Sequence, residues 1–169
     1  MLIVFSGLPG VGKTTLSRAL ALRCSAVFLR IDSIEQAIRN IGVDVGAAGY
    51  EVAQALAESN LAQGLSVVAD CVNPVAESRA GWQQVADTRK SPIYNIEVVC
   101  TDVVEHQHRV QMRVADIRGH IVPRWEAVQS LAYEPWTSER LVVDTSSLAP
   151  DEALARIERY IGLLTDHHI

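Results

Sequence analysis

Eight residues near the beginning of the chain have the types and spacing to cradle a string of phosphates. Gly7-Leu8-Pro9-Gly10-Val11-Gly12-Lys13-Thr14 fits G-x-x-x-x-G-K-[ST] at every fixed position, and Thr15 follows. Glycines let successive backbone N–H groups turn inward around phosphate oxygens with no side chain in the way. A helix starting at the end of the motif adds partial positive charge at the same point. In such a cradle Lys13 bridges the β- and γ-phosphates and the Thr14 hydroxyl ligates Mg²⁺. Lysine is scarce elsewhere: the one other is Lys90, so nearly all the positive charge is arginine.

Acids and arginines follow at intervals that suit the same chemistry. Asp70 comes directly after the apolar run Leu65 to Ala69, the pattern of a carboxylate that faces Mg²⁺ through water. The alternative role for Asp70 is to cap the turn before Pro74. Asp32 ends the run Val27 to Ile31, and Glu35 three residues later makes a capping box for the next helix equally available. Arg109 and Arg113 lie four apart on one helix face, and Arg118, Gly119, Pro123 and Arg124 continue the basic stretch. A solvated basic face is the plain alternative for these arginines.

The elements that must position these residues alternate between short apolar runs and longer helical patterns. Strands are expected at Leu2–Phe5, Val27–Ile31, Leu65–Ala69, Ile93–Cys100 and Leu141–Val143. Helices are expected over 14–23, 33–40, 50–63, from Pro74 towards Lys90, from about Val103 into the arginine stretch, and from Pro150 onward. Gly42 to Gly49 reads as a loop. Nearly continuous apolar strands separated by helices indicate a parallel sheet covered on both faces, a three-layer α/β domain.

Composition narrows the field. With 169 residues, 49% hydrophobic and 21% charged, the chain has the proportions of one globular domain over 1–169 rather than of a disordered segment. A net charge of −5 argues against sequence-blind nucleic-acid binding. Cys24, Cys71 and Cys100 form no C-x-x-C pair and read as reduced core residues, which with the absence of a leader or membrane-length run implies a cytoplasmic protein. His106 and His108 point apart on a helix, and His167 and His168 sit at a polar end expected to fray, so no metal cluster is predicted from histidine. Trp82, Trp125 and Trp136 are expected in packing roles.

The guanine-reading N-K-x-D motif is absent. Gly7 to Thr15, Asp32-Ser33, Val67-Val68-Ala69-Asp70-Cys71-Val72-Asn73 and the arginines from Arg109 to Arg124 together resemble the small P-loop kinases. Within them the chain is similar to the group that includes zeta-toxin-like kinases, chloramphenicol phosphotransferase and the kinase domain of polynucleotide kinases. The likeness spans nearly the whole chain, although only the first motif is specific by itself. It implies a five-stranded parallel sheet in the order 2-3-1-4-5 and makes Asp32 the general base for an acceptor hydroxyl. A similar R-x-x-x-R pair in nucleoside-monophosphate kinases implies that Arg109 flanks adenine. Arg113 or Arg118 would then stabilise the transferring phosphoryl under a lid of about residues 113–124. The loop Asp144 to Ser147 would lie beside the adenine.

One departure bears on the acceptor. Polynucleotide kinases carry an arginine three residues after the base, where this chain has Glu35, and an acid there disfavours a phosphorylated acceptor. Arg39, one turn on, is either a substrate contact or a partner for Glu35. Tyr50 and the Gly42–Gly49 loop occupy the region that varies with acceptor. The expectation is an ATP- and Mg²⁺-dependent phosphotransferase acting on a small-molecule hydroxyl, without membrane or nucleic-acid partner. Two alternatives stand beside it: a nucleotide or polynucleotide 5′-hydroxyl kinase, and an ATP-binding switch or slow ATPase.

Overall fold

The computed structural model describes residues 1–164; His167 and His168 lie outside them. A five-stranded, all-parallel sheet runs in the order β2-β3-β1-β4-β5, as the resemblance implied. Its strands are β1 (Leu2–Ser6), β2 (Val27–Arg30), β3 (Val67–Asp70), β4 (Ile93–Val99) and β5 (Leu141–Asp144). Every residue of β1 is buried, because the central strand is covered on both faces, and that is why its sequence is apolar without alternation. Ile3 and Phe5 point into one layer with Leu16 and Leu20 of α1 (Lys13–Arg23) and Ile157 of α7 (Pro150–Tyr160). Leu2 and Val4 point into the other with Ala53 and Ala57 of α3 (Ala48–Ala62) and Trp82 of α4 (Ala76–Arg89).

Several boundaries differ from the sequence expectations. The second strand stops at Arg30, and α2 (Ile31–Asn40) starts at once, so Asp32 sits in the first turn of a helix rather than at a strand end. The third helix opens at Ala48, inside the stretch read as loop. Gly49 is buried there against Glu35, and a Cβ on it would meet Glu35 Cγ at 2.5 Å. The fourth helix starts at Ala76 behind an extended Val75, so Pro74 precedes the helix instead of opening it. A five-residue α6 (Trp125–Gln129) was not expected. Cys71 and Cys100 are buried, whereas Cys24 is only half-buried; no disulfide forms among them. No helix of the described residues is long and apolar enough to cross a membrane.

Register places the chemistry at one edge. In parallel pairing Asp70 lies opposite Phe5 on one side and Arg30 on the other, so the carboxyl ends of β1, β2 and β3 converge. That edge of an open parallel sheet is where loops and helix N-termini meet a ligand.

Candidate functional site at the carboxyl edge of the sheet

The cradle joins β1 to α1 with left-handed backbone at Gly7, Gly10 and Gly12. Gly7 leaves no room for a side chain: a Cβ would stand 2.1 Å from the Val98 carbonyl oxygen, and its own N–H donates to Val72 O at 3.1 Å. Gly10 is pressed from above, since a Cβ there would meet Val110 Cγ2 at 2.5 Å. Val110 belongs to α5 (Val103–Met112), whose N-terminus is capped by the Asp102 carboxylate. His106 and Val110 face the cradle at i, i+4, and Arg109 follows at i+3. His106 donates from Nε2 to Pro9 O at 2.8 Å, and its ring meets Trp125 edge-on at 5.1 Å.

Pro9, Gly10, Gly12, Lys13, Thr14 and Thr15 line a cavity of about 880 Å³ that also takes in Asp32, Asp70, Arg109 and Arg113. Lys13 Nζ donates to Leu8 O at 2.8 Å, bending back over the loop. Thr14 Oγ1 donates to Asp70 Oδ2 at 2.7 Å. Burial drives the Lys13 pKa down and the Asp70 pKa up, each opposed by the other's charge. A hydroxyl and a carboxylate side by side are hard oxygen donors, and Mg²⁺ usually takes one or two such protein ligands together with water and phosphate oxygens. Thr14 and Asp70 therefore fit Mg²⁺, whose part would be to neutralise phosphate charge. No cluster of three or more metal-ligating side chains occurs among the described residues.

Arg109 is held rigidly. Its Nε donates to Glu105 at 2.8 Å, and its two terminal nitrogens donate to Thr145 Oγ1 at 2.8 Å and Thr145 O at 3.1 Å. The Thr145 hydroxyl donates to Val11 O at 2.8 Å, so the loop after β5 and the cradle form one network. Arg113 reaches across to Asp32, with Nη2 3.6 Å from Oδ2. Asp32 is also 3.7 Å from Arg30. One carboxylate and two guanidinium groups thus meet in the same cavity as Lys13.

A family model described as an AAA domain matches residues 2–130. The chain belongs to that family. No curated protein matches it by sequence. Among solved structures, a candidate kinase of Chloroflexus aurantiacus is 21% identical over 97% of both chains, with a TM-score of 0.74. The APS kinase of Mycobacterium tuberculosis, solved with AMPPNP and APS, is 16% identical over 95% of this chain and 96% of that one, at 0.72. A gluconokinase of Sinorhizobium meliloti is 21% identical over 95% of each chain, at 0.64. These likenesses establish a kinase-like P-loop fold for this AAA domain.

Other residues singled out from sequence are placed away from the cavity. In this AAA domain Glu35 and Arg39 pair with each other at 2.9 Å, the helical i, i+4 partnership left open above. Tyr50 is largely buried, and its hydroxyl accepts from Asn73 N at 2.7 Å; burial raises its pKa. Arg118 is not among the residues lining the cavity, and Arg124 lines a separate recess of about 400 Å³ beside Trp125. Four contributors escaped the sequence reading: Arg18, Arg30, His106 and Asp116. Arg30 and Asp116 are 86 residues apart, and no local pattern pairs them. His106 had one available signal, its i+3 and i+7 spacing to Arg109 and Arg113.

Proposed function

We propose that the protein is an ATP-dependent kinase that moves the γ-phosphoryl group to a hydroxyl of a small molecule. The observation that carries this reading is the Thr14–Asp70 pair beside Lys13, lining the same cavity as the Asp32–Arg113 pair. The cradle N–H groups and Lys13 bind the phosphate chain, and Arg109, fixed by Glu105 and Thr145, flanks the base. Asp32 accepts the proton of the acceptor hydroxyl as its oxygen attacks the γ-phosphorus and the bond to the β,γ-bridging oxygen breaks to release ADP, and Arg113 offsets charge on the transferring group. Bound through Thr14 and Asp70, Mg²⁺ would supply further neutralisation of phosphate charge. Residues 113–124 act as a lid that excludes water, and Arg118 enters the site only if that lid rearranges.

A nucleotide or polynucleotide 5′-hydroxyl kinase is kept as the second reading by one observation. Arg39 offsets the Glu35 charge at 2.9 Å, so repulsion of a phosphorylated acceptor is weaker than a lone carboxylate would impose. The acidic net charge of −5 still disfavours a long polyanion.

The test is transfer of label from γ-labelled ATP with Mg²⁺ against nucleosides, sugars, aminoglycosides and 5′-hydroxyl oligonucleotides. Label on a small alcohol, lost in Lys13→Ala, is expected. Label on oligonucleotides alone would install the second reading. Label released only as inorganic phosphate, at a rate set by a protein partner, would replace both with an ATP-driven switch.

A further inference from the structure

Between Met112, where α5 ends, and Trp125, where α6 begins, the backbone has no regular element. Two of its apolar side chains lie in solvent, Val114 84% exposed and Ile121 88% exposed, while Ile117 and Val122 are half-buried. The backbone hydrogen bond within this stretch, His120 N to Ile117 O, is local. The segment is also tied down by charge. Asp116 accepts from Arg30 Nη1 at 2.7 Å and Nη2 at 3.0 Å in a two-pronged pair, and from Arg18 Nη2 at 3.2 Å. Arg30 holds the Asp116 carboxyl well below the usual carboxylate range.

Arg30 is an unusual anchor. Its side chain is 5% exposed, at the end of β2, and three carboxylates surround it. The Asp70 contact is long, at 4.0 Å from Nε, and that buried Nε has no hydrogen-bond partner. Had Arg30 served only to offset Asp70, its fork would turn towards that carboxylate. The fork is given to the connecting segment, whose Met112, Arg113, Val114 and Asp116 form one wall of the nucleotide cavity.

We propose that Arg30 is a positioning residue that clasps residues 113–116 over the nucleotide through Asp116, so that nucleotide exit requires this pair to open. The inference rests on the ATP-binding reading above. Arg30 lines the cavity, fixes the wall that carries Arg113 and stands 3.7 Å from Asp32. Wall position and base position therefore share one guanidinium. Arg18 adds a more exposed second contact that contributes less.

The full chain is tested with Asp116→Asn, which removes the charge at a half-exposed position, and Asp116→Glu, which restores it. Dissociation of a fluorescent N-methylanthraniloyl ATP with Mg²⁺ is followed by stopped flow in low and high salt. Asp116→Asn is expected to speed dissociation by about fivefold or more, as loss of a charge-assisted pair allows. Asp116→Glu is expected to recover most of that change. Wild-type dissociation should quicken with salt, and the Asn variant should lose that dependence. Dissociation within twofold of wild type in Asp116→Asn would overturn the clasp. Hydrogen exchange of amides 113–120 without nucleotide decides the clasp independently: faster exchange in Asp116→Asn and in Arg30→Lys supports it, and unchanged exchange rejects it. Failure of the wild-type protein to bind the probe would instead remove the ATP reading.

Discussion

The Nε2 of His106 lies 2.8 Å from the carbonyl oxygen of Pro9 and donates a hydrogen bond to it, joining α5 to the phosphate cradle across 97 residues of sequence. The same helix carries Val110 against Gly10 and Arg109 into the cavity, so cradle shape and the Arg109 side chain are set by one element. Removing the imidazole strands a carbonyl that an apolar replacement cannot satisfy. His106→Leu should cost about 1 kcal/mol of stability, the usual net worth of a hydrogen bond to a half-buried carbonyl. Nucleotide affinity should fall with it, because Pro9, between Gly7 and Gly10 in the cradle, loses its anchor. Urea unfolding and a nucleotide titration check both; unchanged affinity would show that α5 merely covers the loop.

Asp70 offers a sharper division between metal and nucleotide. Asp70→Asn retains an acceptor for the Thr14 hydroxyl but loses the charge that attracts a cation. Nucleotide binding in EDTA should be close to wild type, while the gain on adding Mg²⁺ should largely disappear. Calorimetric titration with and without Mg²⁺ measures this difference, and an undiminished Mg²⁺ effect would assign Asp70 to structure alone.

For Asp32 the expected signature is chemistry lost with binding kept. Asp32→Asn should bind ATP normally and transfer phosphate at least ~100-fold more slowly, the scale of a lost general base. Nucleotide-dependent thermal stabilisation and labelled transfer to the identified acceptor are the two readouts. A fully active variant would leave Asp32 as the acid in the first turn of α2, a favourable place by helix dipole alone.

Acid sensitivity should trace partly to Asp144. Burial raises its pKa, but hydrogen bonds from Ser146 and Thr101 outweigh that and bring it down to about 2. A carboxyl whose folded pKa lies below its ordinary 3.8 contributes stability that is present above that value. The contribution is lost as pH falls from about 4 towards about 2. Asp144→Asn should therefore flatten the decline of the urea midpoint over that window, with little change in slope near neutrality. A decline parallel to wild type would contradict this role.

How much of this was legible in the sequence depends on how far apart the partners are. The cradle was read residue by residue, because its geometry is local and its glycines have steric reasons that spacing alone reveals. Strand order followed from the resemblance, and unbroken apolar runs correctly signalled a sheet covered on both faces. The sequence reading puts Asp32 at the strand end, whereas the strand stops two residues earlier at Arg30, because Ile31 suits a strand and a helix start equally. The Glu35–Arg39 pair was visible as an i, i+4 option, but not the Gly49 surface against which Glu35 rests. Arg30 looked like an ordinary strand residue. Its meaning comes from Asp70 beside it in the sheet and Asp116 on a distant connection, and neither adjacency has a one-dimensional signature.

The constriction at Gly7 has a consequence for the order of assembly. Its N–H is fastened to Val72 beyond β3, and its α-carbon lies against the Val98 carbonyl of β4, so the cradle takes shape only between two strands that arrive later in the chain. A nascent chain lacking residues 93–99 would carry the entire motif without the Val98 carbonyl that packs against Gly7. On the kinase reading proposed above, nucleotide would bind the completed sheet and stabilise the native state by mass action.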